Sequence, residues 1–415
     1  MRLHSRIILY TVAIGACVGL LSATGAGGGA DAGIWTRIDS LESVGLYRTA
    51  LDLTEDVYAR ARRDSDTPNE IRALIYRLKY IQVLEEDGHV AAIEALKKEL
   101  PDDRVAEASI KYTLLAELFY RFYSANRWQI SQNAPMEPVA GMPLRSWPPE
   151  RFYQEILGDY KRSLDHRDSL LAIRVSSLPG LWVGNLADTV NKPRLYDVLM
   201  SRYLTFLGNA SEFPIREFRP PVLCRKDLFG GLTDFSRIVS GFTEGGSNPW
   251  LLALHAYGQW IDRSEPVSRA GIDLKRLDYL YAQSCREDRD SLYDAALSST
   301  AALMAGDTLV AGYYEALARH HLNLGSRFQI NRPDTLKYKW EKREGAGWID
   351  RALEWPGTLA GRRCLNLKNT LLRPEMNVMT GSCEVPGQAF PVSIGYRNLS
   401  HIQYRVVRMD AAAFH

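Results

Sequence analysis

The chain has 415 residues, is 46% hydrophobic, and sets 51 Lys and Arg against 49 Asp and Glu for a net charge of +2. That length and apolar content suit two or three folded domains and argue against disorder. No long run of one sign occurs, which argues against a nucleic-acid groove or a polybasic membrane patch.

The N-terminus has the layout of an export signal. Two arginines in MRLHSR precede the apolar run IILYTVAIGACVGLLSATGA, which fades into small residues. Residues 1–32 are therefore expected to be a signal peptide, with Thr24-Gly25-Ala26 or Ala30-Asp31-Ala32 as cleavage triplets. Ile14-Gly15-Ala16-Cys17 forms a loose lipoprotein box, which makes Cys17 a candidate for lipidation and for a membrane tether. Val18, Gly19, Leu20 and Leu21 continue the apolar run beyond it, so Cys17 also reads as an ordinary member of that run. The run is at the short end for spanning a bilayer.

From Gly33 to Arg373 helical periodicity dominates. Ile71, Leu74, Ile75, Leu78 and Ile81 repeat at helical spacing, with Arg72 and Lys79 on the far side. Leu115, Leu118, Phe119 and Phe122 do the same, as does LYDAALSSTAALM from Leu292. Short breakers separate these runs: Val44-Gly45, Thr67-Pro68-Asn69, Asp87-Gly88, Pro101-Asp102-Asp103 and Gly306-Asp307. Thr67 before Pro68 predicts a helix start. Gly45-Leu46-Tyr47-Arg48-Thr49-Ala50 matches the turn and second-helix opening of a tetratricopeptide repeat, where a small residue admits the neighbouring helix. Asp87-Gly88-His89-Val90-Ala91-Ala92-Ile93 is a looser copy, at an interval longer than the usual ~34 residues. The expectation for 33–373 is a domain of irregular tetratricopeptide-like helical hairpins, an α-solenoid. Long loops are expected over 130–149, 175–193 and 213–221.

After Pro374 the period changes to two. Phe390, Val392, Ile394 and Tyr396 alternate with smaller or polar residues, and so do Ile402, Tyr404 and Val406. Strands are expected at about 376–384, 389–396 and 401–409, an incomplete antiparallel meander over 374–415. A sandwich needs ~7 strands.

Motifs for chemistry are missing. The sequence has no phosphate-binding loop and no Gly-x-Ser-x-Gly elbow. Glu315, His320 and His321 share a predicted helix, but spacings of five and six do not suit two ligands on one face. No catalytic residue, metal site or cofactor is expected. Cys224, Cys285, Cys364 and Cys383 form no Cys-x-x-Cys pair. Their scatter favours unpaired thiols, with Cys364–Cys383 the most local candidate disulfide.

Three stretches together resemble a known family. They are Ile38-Asp39-Ser40-Leu41 with Gly45-Leu46-Tyr47 and Ala73-Leu74-Ile75-Tyr76-Arg77-Leu78-Lys79-Tyr80; then Leu114-Leu115-Ala116-Glu117-Leu118-Phe119 with Asn126-Arg127-Trp128; then Glu384-Val385-Pro386-Gly387-Gln388-Ala389-Phe390 with Tyr404-Arg405-Val406-Val407. In that order the chain resembles the N-terminal part of large exported bacterial proteins of the alpha-2-macroglobulin family. There a tetratricopeptide-like region precedes the first macroglobulin sandwich. The resemblance implies a truncated family member, in the periplasm or at the outer membrane of a Gram-negative bacterium. Its implied partners are proteins, with proteases engaged through downstream domains. Neither Cys364-Leu365-Asn366-Leu367 nor Cys383-Glu384-Val385-Pro386 is the family's Cys-Gly-Glu-Gln thioester motif, so no trapping residue carries over.

The competing expectation is an outer-membrane glycan-binding lipoprotein similar to starch-utilisation nutrient-binding proteins. In that case Trp128 and Trp147, flanking the Pro-rich loop, would form a stacking platform. The bland alternative places both tryptophans in the helical core.

Overall fold

A computed structural model of the chain describes residues 32–134, 141–181, 193–214, 221–242, 246–381 and 389–405. Among them stand fifteen α-helices and one two-stranded sheet. They fall into two compact units, one running to Tyr293 and the other from Asp294.

The first unit opens with α1 (Ala32–Ser43), α2 (Tyr47–Arg63), α3 (Thr67–Leu84), α4 (Gly88–Lys97) and α5 (Val105–Ile130), each packed on the next. Gly45 ends α1 in the left-handed region at φ +79°, with its N–H on the Glu42 carbonyl and the Leu46 N–H on that of Leu41. That pair of bonds is a Schellman stop, which favours glycine for its conformation. A Cβ at Gly45 would meet nothing within 4 Å, so this glycine does not admit a neighbouring helix as its motif suggested. Gly88 is the closely approached one: a Cβ there would lie 2.4 Å from the Gln82 carbonyl oxygen. The start of α3 also moves by one residue. Asp66, not Thr67, accepts the Asn69 N–H at 3.2 Å, and the Thr67 hydroxyl donates instead to Glu107 at 2.6 Å.

An ion cluster is sealed between α3, the turn before α5, and α5 itself. Arg104 donates to both oxygens of Glu70, at 2.6 and 2.7 Å, and also pairs with Asp102 and Glu107. Lys111 reaches Asp102 at 2.6 Å and Glu70 at 3.2 Å. Glu70 and Lys111 are wholly buried. Burial alone would raise the Asp102 carboxyl, but hydrogen bonds from Lys111 and Arg104 outweigh it and hold it at about 2.

Beyond α5 the unit continues through α6 (Pro149–Ser163), α7 (Arg167–Ala172), α8 (Leu195–Gly208), α9 (Leu232–Ser240), α10 (Pro249–Arg263) and α11 (Pro266–Gln283). α5 packs on α6, and α8 and α9 pack on α10. Asn248 caps α10 by accepting the Leu251 N–H, with Pro249 following it. Two of the expected long loops contain short 3₁₀ turns, Leu144–Ser146 and Val175–Ser177, and a third turn, Pro221–Cys224, begins where the loop over 213–221 ends. Cys224 and Cys285 form a disulfide with their Cα atoms 5.2 Å apart, which corrects the expectation of unpaired thiols.

The unit boundary falls inside α12 (Arg289–Leu303). Hence three further helices go with the sheet, where the sequence suggested one helical domain to residue 373. These are α13 (Val310–Ser326), α14 (Glu341–Leu353) and α15 (Leu359–Leu372). Ala318, Ile349, Ala352 and Cys364 form their core. The strands are β1 (Glu375–Thr380) and β2 (Val392–Arg397), antiparallel. Of the third expected strand, residues 401–405 are not extended into a ladder and 406–409 lie outside the described residues. Among the described residues the small sheet therefore has two strands rather than the three of a meander.

Removing one partner from a buried cluster strands the others in low dielectric. Lys111→Met is expected to cost about 3–5 kcal/mol in urea unfolding. Because Asp102 titrates lower in the folded chain, its contribution is present above an unfolded carboxylate pKa of about 4 and is lost as pH falls through about 2. Acid titration of Asp102→Asn should show that part of the transition removed.

Candidate functional site

The β-hairpin largely alternates apolar and polar side chains, and the register gathers most of the apolar ones on one side, with Met379 the exception on the other. Met376 faces Tyr396, Val378 faces Ile394 and Thr380 faces Val392. Directly opposed residues share a face, so these six make one apolar side. Glu375 with Arg397, Asn377 with Gly395 and Met379 with Ser393 make the other. All five hydrophobic residues of the apolar side are exposed, from 38% at Ile394 to 64% at Tyr396. Contiguous apolar patches larger than a few hundred Å² are rare on soluble monomers and mark contact surfaces.

Polar atoms attach this hairpin to the end of α15. Helices leave their last four carbonyls without intrahelical donors. Asn398, at φ +54°, donates its side-chain amide to the carbonyls of Leu371 at 2.7 Å and Arg373 at 3.2 Å. Arg397 donates to the Thr370 carbonyl at 3.0 Å while pairing with Glu375 at 2.7 Å. A cation at a helix C-terminus also complements the macrodipole. The sequence marks Arg397-Asn398-Leu399-Ser400 only as a turn, and nothing local distinguishes a turn asparagine from one that caps a helix elsewhere.

The histidine helix carries a second polar cluster. His321 Nδ1 lies 2.6 Å from Glu341, and Nε2 lies 3.6 Å from Asp294, which joins α12, α13 and α14 within the second unit. Burial would lower the imidazole pKa, but the two carboxylates raise it overall. Glu315 turns away to Arg319 at 2.8 Å and Arg363 at 3.7 Å. Glu315 and His321 thus serve separate contacts. Among the described residues no group of three His, Cys, Asp or Glu could hold a metal.

The remaining sequence candidates do not converge. Trp128 is 82% exposed, whereas Trp147 is 4% exposed and stacks on Phe119 with ring centroids 5.7 Å apart. Trp147 also donates to the Met142 carbonyl at 3.1 Å. It is a core residue, so the two tryptophans form no common stacking platform. Cys364 is a buried thiol, pushed up to about 11 by burial and by Glu315. Cys17 and Cys383, the candidates for lipidation and for a pair with Cys364, lie outside the described residues. Among the described residues no helix is long and apolar enough to cross a membrane. No family profile, curated protein or solved structure matches the chain.

Asn398→Gly keeps the backbone conformation and deletes the cap. The amides of Met376–Thr380 should then exchange roughly fivefold faster, about 1 kcal/mol for the lost bonds. For His321 the raised folded pKa means that its stabilisation is complete below about pH 6.5 and fades as pH rises further. His321→Gln should therefore lower the melting temperature at pH 5.5 more than at pH 8.5 (chosen to bracket roughly that pKa).

Proposed function

We propose that this chain is an exported, non-enzymatic protein-interaction module in which tetratricopeptide-like helical hairpins lead into a macroglobulin-like β layer of the alpha-2-macroglobulin type. The hairpin's exposed apolar face carries this assignment. One side is mostly polar, with Met379 its one large apolar residue, and the other presents Met376, Val378, Val392, Ile394 and Tyr396 to solvent. A β layer of that kind gains stability by packing on a second sheet about 10 Å away.

Two further observations support the proposal. The Cys224–Cys285 disulfide fits an oxidising compartment, in keeping with the signal-like N-terminus. The neighbour-on-neighbour packing of α1 to α5 fits a row of helical hairpins. Protease engagement would belong to macroglobulin domains packed on this layer, since no residue here carries trapping chemistry. The glycan-binding alternative is not carried forward, because burial of Trp147 removes half of its platform.

Reading the coding DNA beyond the His415 codon tests the assignment. Further segments of alternating strands in the same frame would support it, and unrelated sequence there would overturn it. At the protein level, Val378→Lys with Ile394→Lys should markedly reduce hydrophobic-dye binding and leave helical circular dichroism unchanged. Undiminished dye binding would sink the role given to this face. Unreduced peptide maps should show Cys224 and Cys285 joined, and reduction should cost about 2–5 kcal/mol in urea unfolding.

A further inference from the structure

We propose that a cleft in the first unit binds the carboxylate of a ligand whose adjoining group is apolar. The cleft encloses about 480 Å³ between the faces of α8 and α10, with its rim at the turn from α6 into α7. That volume lies in the range of small-ligand sites.

The floor is apolar. Met200 and Tyr203 from α8 face Leu252 and Ala256 from α10, spaced so that each helix presents one stripe. Both tyrosine rings at the cleft are buried, Tyr196 at 1% and Tyr203 at 5% exposure. Met200 and Ala256 are as closely covered, at 2% and 4%, so the floor offers no open ring face for a sugar to stack on and is suited to an apolar group of modest size.

The rim is cationic. Lys161 and Arg167 stand there against the single acid Asp165. Neighbouring cations are already used: Arg162 pairs with Asp159 at 2.7 Å, Arg174 with Glu265 at 2.8 Å and Arg194 with Asp197 at 2.9 Å. Lys161 and Arg167 have no ion-pair partner among the described residues. A guanidinium fork matches a carboxylate in two parallel hydrogen bonds, and an ammonium adds a point charge beside it.

One buried polar atom points the same way. The Tyr196 hydroxyl is shielded from solvent and has no hydrogen-bond partner among the described residues. Arg167 and Arg263 act on it electrostatically. Buried hydroxyls without partners are uncommon and call for an explanation, and a bound carboxylate drawing Arg167 inward would supply one. The carboxylate could belong to a free short-chain acid or to a peptide C-terminus with an apolar last residue. Both present the same chemistry to the cleft.

Titration of the full, disulfide-intact chain by calorimetry tests this directly. The probes are hexanoate, hexanamide, N-acetyl-Leu-Leu with a free carboxylate, and the same peptide as its amide. The carboxylates are expected to bind with Kd of about 1 mM or tighter, and their amides at least about tenfold more weakly. Tighter binding of the peptide acid assigns a chain terminus, while tighter binding of hexanoate assigns a free acid. Lys161→Gln with Arg167→Gln should reduce carboxylate binding about tenfold with unchanged thermal unfolding. Equal binding of acid and amide, or no heat from either acid, would overturn the proposal without any variant. A folded double variant that binds like the parent would do the same.

Discussion

The ion cluster of Glu70, Asp102, Arg104, Glu107 and Lys111 fixes how the first helices meet. Such a cluster tolerates little sliding, because a shift of one helical turn would leave Glu70 or Lys111 charged and unpaired in the interior. Hydrophobic stripes alone accept several registers at similar energy. Here Arg104 grips both oxygens of Glu70, and Lys111, about two helical turns further along, shares the same carboxylate. The direction of α5 follows from that grip. Its length then carries Phe119, Phe122 and Tyr123 into an aromatic cluster with Trp147, Phe152 and Phe213. α6 and α8 pack against the same helix. Much of the first unit is thus built outward from a polar contact.

Helix positions were legible in the sequence because they depend on local spacing. Ile71, Leu74, Ile75 and Leu78 are buried as their periodicity implied. Features that depend on distant partners were not legible. Asp66 could be distinguished from Thr67 as the cap only once Glu107, forty residues on, had engaged the threonine hydroxyl. Cys224 and Cys285 are 61 residues apart, and no local pattern announces their pairing. Trp147 and Trp128 share the same reading as core residues, and only the arrival of Phe119 from a preceding helix separates them: Trp147 is covered and Trp128 is exposed. Alternation was visible in both strands, but a third alternating run at 401–405 forms no ladder. Periodicity states what a segment could pair, and the partner decides.

The two candidate surfaces differ in the same respect. The hairpin face could be read from alternation and needed only a register to become a surface. The cleft draws on three separate segments, and the two from α8 and α10 each contribute positions that read by themselves as a core stripe. Tyr196, Met200 and Tyr203 look like ordinary buried positions of α8. Only the arrival of Lys161 and Arg167 at their edge gives the space a chemical preference.

The Cys224–Cys285 bond has a topological consequence. It closes a covalent ring that contains α9, α10 and α11. From within that ring Trp260 donates to Asp197 at 2.9 Å, and Arg276 donates to the Leu228 carbonyl at 2.7 Å. A protease that severed one exposed bond inside the ring would release no fragment, since the two new ends would stay tied through sulfur. A nicked molecule would therefore keep α10 seated beside α8 and continue to behave as one body.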